Sequence, residues 1–164
     1  MKTSIDLEEY FGVGFVVSQD TVVEVDWGDG ERVKIEVPTG HHGFSRRPKG
    51  NTVKVYYDHD HVKLFQATHN EITEIDLKNA IGLERLELNV NKISKLAISK
   101  NTKLNFLYLQ DNNLSSSAMD QILNDLPTRT VSDNAYINII QNQGNPSQTA
   151  VANAEQKNWE VYYG

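Results

Sequence analysis

Two stretches of the chain share one pattern: Leu83-Glu-Arg-Leu-Glu-Leu-Asn-Val-Asn91-Lys-Ile93 and Leu104-Asn-Phe-Leu-Tyr-Leu-Gln-Asp-Asn112-Asn-Leu114. Both follow L-x-x-L-x-L-x-x-N-x-L, and a looser copy runs from Val62 to Ile72. Such a pattern, repeated at a fixed period of about 20–29 residues, is typical of leucine-rich repeats. We therefore predict an α/β solenoid, a short leucine-rich repeat of about 3–4 coils with a 21-residue period, preceded by an N-terminal antiparallel β cap domain.

Each copy of the pattern contains an asparagine at the same position. A fourth, interrupted copy adds another after the strand-like stretch that begins at Ile137. A buried asparagine side chain can hydrogen-bond backbone groups of a turn that have no partner in a strand ladder. We therefore predict a structural column made of Asn70, Asn91, Asn112 and Asn142.

The insertion before the fourth copy has the spacing of a helix. Apolar residues recur on one face between Ser115 and Arg129, a serine at its start can cap the helix, and Pro127 ends it. A second short helix is predicted from Gln148 to Lys157, leading into a last strand. In that strand Trp159 is expected to cover the apolar end of the repeats.

The first 61 residues have a different rhythm, and we predict two domains, 1–61 and 62–164. Apolar residues alternate with polar ones on both sides of Gly28-Asp29-Gly30, which predicts a β-hairpin. Strands are also expected at 11–17 and 53–57. The segment from Thr39 to Asn51 is interpreted as turn-rich, and Gly40-His-His-Gly43 within it as a loop.

Composition excludes several classes of function. The net charge is −6 and no basic cluster is present, so nucleic-acid binding is not expected. The absence of cysteine excludes disulfides and thiolate metal sites. No apolar run approaches the ~18 residues of a membrane span, and the start from Met1 to Asp6 lacks the apolar core of a signal peptide. No nucleophile-elbow, P-loop or dinucleotide motif is present, so we expect neither an enzyme nor a cofactor.

The residues between the repeated leucines are predicted to point to one concave strand face. Phe106, Tyr108 and Tyr136 should be close neighbours there, and clustered exposed aromatic residues are typical of binding patches. The same face is expected to include Gln66, Arg85, Glu87 and Asn138. We therefore predict a non-enzymatic module that binds a protein, peptide or glycan. The alternative is a scaffold segment of a larger surface protein, with the aromatic patch covered intramolecularly.

Two groups of residues are weaker metal candidates. In Asp58-His59-Asp60-His61, a strand would place both histidines on one face, and a third ligand would come from His41, His42 or His69. The alternative interpretation is a polar junction before the first repeat. Asp26 and Asp29 can bind calcium through their oxygens, but a hairpin turn already accounts for Asp29.

The order of several motifs resembles the leucine-rich-repeat proteins of gut Bacteroidetes, which are mostly predicted surface or secreted proteins. The motifs are the Val-Asp-Trp-Gly-Asp-Gly turn, the 50–56 strand, the repeats, the 123–127 helix end and Asn158-Trp159-Glu-Val161. The family often has Cys where this chain has Ala67, Leu88 and Leu109. The resemblance implies an interaction module at the cell surface or outside the cell, and it implies no catalytic residues.

Overall fold

The computed structural model describes residues 1–4 and 9–164. Ile5 and Asp6, part of the chain start considered above, lie outside the described residues. The strands are β1 Lys2–Thr3, β2 Phe11–Val17, β3 Thr21–Asp26, β4 Arg32–Val37, β5 Gly40–Arg46, β6 Lys54–Tyr56, β7 Val62–Gln66, β8 Ile72–Glu74, β9 Arg85–Glu87, β10 Phe106–Tyr108, β11 Ala135–Asn138 and β12 Trp159–Tyr162. The α-helices are α1 Ser116–Asp125 and α2 Gln148–Gln156, and a short 3-10 turn spans Val131–Asp133.

The predicted fold class, an α/β solenoid of leucine-rich coils, is wrong. The chain forms a mixed, sheet-rich fold around a seven-stranded sheet with the order β12-β11-β10-β9-β7-β2-β5. Only two α-helices occur in the described part of the chain, and its strands do not form a closed solenoid. The prediction failed because the repeat pattern covers only the parallel strands. It carries no information about β2 and β5. β2 pairs antiparallel with β7, the first of the parallel strands, and β5 pairs antiparallel with β2.

The strands that come from the repeated segments are parallel and in register. Phe65 is paired with Leu86, Leu86 with Leu107, and Leu107 with Ile137. All four side chains are buried. Because successive residues of a strand point to opposite faces, the residues on either side of this row lie on the other face of the sheet.

The N-terminal strands divide among three sheets, since β1 pairs antiparallel with β8 in a separate two-stranded sheet. The predicted hairpin is confirmed: β3 and β4 are antiparallel, and β6 adds to β3 to complete a three-stranded sheet. The loop predicted at Gly40-His-His-Gly43 is wrong, because these residues lie in β5 and pair with β2. β2 also pairs with β7, so one sheet crosses the predicted boundary between 61 and 62. The division into two domains remains a prediction.

Both predicted helices are confirmed. The Ser115 side chain accepts a hydrogen bond from the Ala118 N–H and caps α1, and the Ser147 side chain caps α2 in the same way. β12 is parallel to β11 and buries Trp159, whose Nε1–H donates to the Pro127 carbonyl oxygen at 2.7 Å. Within residues 1–4 and 9–164, no helix has the length and apolarity required to cross a bilayer.

Candidate functional site

The open face of the seven-stranded sheet displays two rows of side chains across β7, β9, β10, β11 and β12. Arg85, Phe106 and Tyr136 occupy one row, and Glu87, Tyr108 and Asn138 the next. The rows arise because each strand alternates a buried apolar residue with an outward one. The structure therefore brings together the residues that the sequence assigned to one strand face.

Four aromatic side chains form a continuous cluster on this face, which we call the aromatic ladder: Phe106, Tyr108, Tyr136 and Tyr162. Tyr136 is at its centre, with ring centroids 5.5 Å from Phe106, 5.1 Å from Tyr108 and 5.8 Å from Tyr162. The interplanar angles of 70°, 81° and 80° are edge-to-face arrangements, which aromatic quadrupoles favour. The ladder is therefore a packed surface rather than a set of independent rings.

The ladder remains accessible to solvent. Phe106, Tyr108 and Tyr136 are half-buried, and Tyr162, on the edge strand, is 46% exposed. Sequence reasoning missed Tyr162, although the alternation of β12 contains the signal. If Trp159 and Val161 point inward, then Glu160 and Tyr162 must point outward. The Tyr162 hydroxyl donates to a Glu160 carboxylate oxygen at 2.6 Å, and this bond raises the pKa of Tyr162.

Arg85 covers one end of the ladder. Its guanidinium carbon lies 4.7 Å from the Tyr108 ring centroid and 5.9 Å from that of Phe106, within cation–π range. Its Nε–H also donates to a Glu87 carboxylate oxygen at 2.6 Å. The charges of Arg85 and Glu87 cancel at this end of the ladder, whereas the Glu160 carboxylate lies beside Tyr136 and Tyr162 at the other end.

Of the two predicted amide residues, Gln66 lies beyond one end of the ladder, and Asn138 lies between Tyr108 and Tyr162. Gln66 is paired with Glu87 on one neighbouring strand and with Gly14 on the other. Asn138 Oδ1 accepts a hydrogen bond from the Ile140 N–H at 3.2 Å. Amide groups can both donate and accept hydrogen bonds, so these positions add uncharged polar groups beside the ladder and between its rings.

The predicted asparagines make equivalent contacts at each step of the parallel strands. Asn91 Oδ1 accepts from the N–H groups of Asn70 and Ile72, while its Nδ2 donates to the carbonyls of Ala67 and Leu88. The distances for these four bonds run from 2.8 to 3.1 Å. Asn112 and Asn142 bond the preceding turn through fewer contacts: each Oδ1 accepts from one N–H group, and each Nδ2 donates to one carbonyl there. These amides hold together the turns that follow successive parallel strands, and so they fix the spacing between those turns.

Asn70 uses the same chemistry on a different partner. Its Oδ1 accepts from the Gly12 N–H at 2.8 Å, and its Nδ2 donates to the Gly12 carbonyl at 2.7 Å. The side chain thus pairs with both backbone groups of one residue of β2. This contact joins the antiparallel part of the large sheet to the parallel part.

The histidines of the 58–61 segment are not arranged as the metal hypothesis required. His59, Asp60 and His61 form a turn instead of a strand, and the Asp60 N–H donates to an Asp58 carboxylate oxygen. His61 contacts Gln19 and lies 3.7 Å from the Asp58 carboxylate. Among the described residues, no group of three or more His, Asp or Glu side chains is placed to hold a metal ion. His41 and His42 lie in β5, and His69 is in the turn before Asn70.

The carboxylates of the hairpin turn have structural partners. Asp26 Oδ1 accepts from the N–H groups of Gly28 at 2.9 Å and Gly30 at 3.0 Å, and these two bonds are the main reason why its pKa is lowered. Lys54 lies 3.5 Å from its other oxygen. The Lys49 ammonium pairs with Asp29 at 2.5 Å and lowers the pKa of that carboxyl.

Comparisons with protein-family models, curated proteins and solved structures find no match to this chain.

Proposed function

We propose that this chain is a non-catalytic binding module that holds a protein, peptide or glycan partner on the open face of its seven-stranded sheet. The observation that carries the proposal is the aromatic ladder, four adjoining rings on three neighbouring strands that remain partly exposed. Tyrosine and phenylalanine supply large contact areas at a low cost in side-chain entropy, and they are enriched at binding hot spots.

The polar groups around the ladder support the same proposal. Arg85, held by Glu87 and by the ring of Tyr108, is pre-organised and loses little freedom on binding. Gln66 supplies hydrogen-bonding groups at the margin, and Asn138 supplies them between Tyr108 and Tyr162. The ladder thus combines a central aromatic area with a polar rim, as binding interfaces do. A location at or beyond the cell surface, which the sequence resemblance implies, is part of the proposal.

The test is a binding screen of the whole chain against immobilised glycans and peptides. Tyr162→Ala removes the most exposed ring, and Tyr108→Ala with Tyr136→Ala removes the centre of the ladder. Tyr10→Ala is the matched control, because Tyr10 is 63% exposed and directly precedes β2, which is three strands away from β10 in the sheet. We expect the ladder variants to weaken binding at least tenfold and the control to bind like the unaltered chain. Binding that is insensitive to all ladder variants, or no binding to any probe, contradicts the proposal.

A further inference from the structure

Two adjoining cavities lie on the core side of the sheet, behind the face that carries the ladder. Their volumes are about 560 Å³ and about 640 Å³, and both are lined by Met1, Lys54, Ile75 and Asp76. Phe65 forms part of the first cavity. Because Phe65 points away from the open face that its neighbours Leu64 and Gln66 share, this cleft is separate from the ladder. Each volume lies within the range of small-molecule sites, about 300–1,000 Å³.

The walls of the cleft are apolar and extend through both cavities. Phe65, Leu77 and the half-buried Ile75 line the first, and Leu96 and Ala97 continue the apolar wall into the second. An apolar wall that continues from one cavity to the neighbouring one suits a long hydrocarbon chain better than a compact polar molecule.

The charges of the cleft are opposite in sign to those of the whole protein. Four lysines line the two cavities, Lys2, Lys54, Lys78 and Lys95, against the two carboxylates Glu74 and Asp76. Lys2 pairs with Glu74, Lys78 with Asp76, and Lys54 with Asp26 outside the lining. The lining lysines still outnumber the lining carboxylates by two. The complete chain, by contrast, has a formal charge of −6. The lysines act on the carboxylates near them: the hydrogen bond from Lys2 is the largest cause of the lowered pKa of Glu74. A locally positive site on an acidic protein favours an anionic ligand.

One polar group in the first cavity has no partner of its own. The Tyr57 hydroxyl makes no hydrogen bond with any residue in the described ranges, while burial raises its pKa to about 12. The hydroxyl is therefore free to donate a hydrogen bond to the oxygen of a ligand in this cavity. Lys54 and Lys78 line the same cavity.

From the apolar walls, the four lysines and the unpartnered Tyr57 hydroxyl, we propose that this cleft binds the anion of a long-chain carboxylic acid. The carboxylate lies by Lys54, Lys78 and the Tyr57 hydroxyl, and the alkyl chain runs past Ile75 to Ala97 in the second cavity. This site is independent of the aromatic ladder and of the function proposed for it.

The first experiment is calorimetric titration of the whole chain with decanoate, dodecanoate and tetradecanoate below their micelle concentrations. We expect one saturable site. Each methylene added should tighten the dissociation constant up to about fourfold, which corresponds to ~0.8 kcal/mol. Dodecyltrimethylammonium, with the same chain and the opposite charge, should bind at least tenfold more weakly than dodecanoate. Equal binding of both head groups, or no dependence on chain length, overturns the proposal.

Matched variants then locate the ligand. Tyr57→Phe should weaken dodecanoate binding about tenfold, because it removes one hydrogen bond to a charged group, while Tyr10→Phe leaves it unchanged. Ala97→Trp, which fills the second cavity, should weaken dodecanoate more than octanoate, and Ala152→Trp on the exposed face of α2 should weaken neither. Binding that survives both cleft variants places the ligand elsewhere and contradicts the proposal. The circular-dichroism spectrum of each variant reports whether it has folded.

Discussion

The ring of Tyr136 stands edge-on to the ring of Tyr108, with centroids 5.1 Å apart and an angle of 81° between their planes. Tyr136 has similar contacts with Phe106 and Tyr162, so one residue connects three strands of the sheet. The ladder therefore has two roles. It offers a surface to a partner, and it contributes cross-strand contacts of the kind that stabilise a sheet.

The stability role predicts unequal effects along the ladder. Tyr136→Ala should lower the free energy of unfolding by ~2 kcal/mol, because it removes three ring contacts, whereas Tyr162→Ala should cost less than ~1 kcal/mol. Urea unfolding measures both. A double-mutant cycle between Tyr108→Ala and Tyr136→Ala should give a coupling energy of ~0.5–1.5 kcal/mol. A coupling of zero would show that the edge-to-face contact contributes nothing.

The asparagine contacts predict a large loss of stability from one small change. Asn91→Ala leaves two backbone N–H groups and the Ala67 carbonyl without their side-chain partner in a buried turn, while the Leu88 carbonyl keeps its bond from Asn112. Each buried group left unpaired costs ~1–3 kcal/mol, so we expect a loss of at least ~3 kcal/mol. Asn113→Ala is the control, since Asn113 is exposed and should change the unfolding free energy by less than ~0.5 kcal/mol. Similar losses for the two variants would contradict the structural role of Asn91.

The residue immediately before each of these asparagines has a left-handed backbone. The φ angles are 57° at His69, 55° at Val90, 56° at Asp111 and 55° at Gln141. Valine, a β-branched residue, is the least suited of the four to this conformation, while asparagine tolerates it. Val90→Asn should therefore raise the free energy of unfolding by ~0.5–1 kcal/mol. The same change at the exposed strand residue Val22 should lower it, because asparagine is disfavoured in strands. If Val90→Asn lowered the free energy of unfolding as much as Val22→Asn does, the backbone of Val90 would not be strained.

Local patterns in the sequence predicted part of this arrangement. The alternation of leucines with Arg85, Phe106 and Tyr108 was enough to place these side chains on one face, because strand geometry fixes the direction of each side chain. Ser115 and the helical spacing after it were enough to predict α1, because the helix start is determined by adjacent residues.

The fold class was not predictable from such patterns, because its decisive contacts are distant in sequence. The bonds between Asn70 and Gly12 span 58 residues. Other asparagines and glycines of the chain have different partners, so residue type does not identify this pair. β5 lacks apolar alternation, with glycine at 40 and 43 and histidine at 41 and 42, and its extended conformation depends on pairing with β2. Where tertiary pairing determines a strand, local propensity gives the wrong answer.

The Asp26 carboxylate predicts a specific dependence of stability on pH. Its pKa is lowered in the folded state, so its contribution is fully present above the unfolded value near 3.8 and is lost as the pH falls through the lower folded value. Asp26→Asn should lower the unfolding free energy by ~1–2 kcal/mol at pH 7. The difference from the unaltered chain should stay constant from about pH 5 to 7 and shrink below about pH 4. Asp60→Asn, at an exposed turn, is the control and should cost less than ~0.5 kcal/mol. A difference between these two unfolding free energies that grows as the pH falls would contradict the role assigned to Asp26.

Gly82 packs so closely against the 58–61 turn that adding a single methyl group there should strongly destabilise the fold. A Cβ atom at Gly82 would lie 1.6 Å from the His59 carbonyl oxygen, so that the backbone itself must move to admit it. Gly82→Ala should therefore lower the free energy of unfolding by ~3 kcal/mol or more. Gly12→Ala adds the same methyl group in β2, where the nearest atom would be 3.8 Å away, and should cost less than ~1 kcal/mol. His59 and Gly82 lie on opposite sides of the predicted domain boundary. If Gly82→Ala cost no more stability than Gly12→Ala, the 58–61 turn would not pack tightly on the repeated segments.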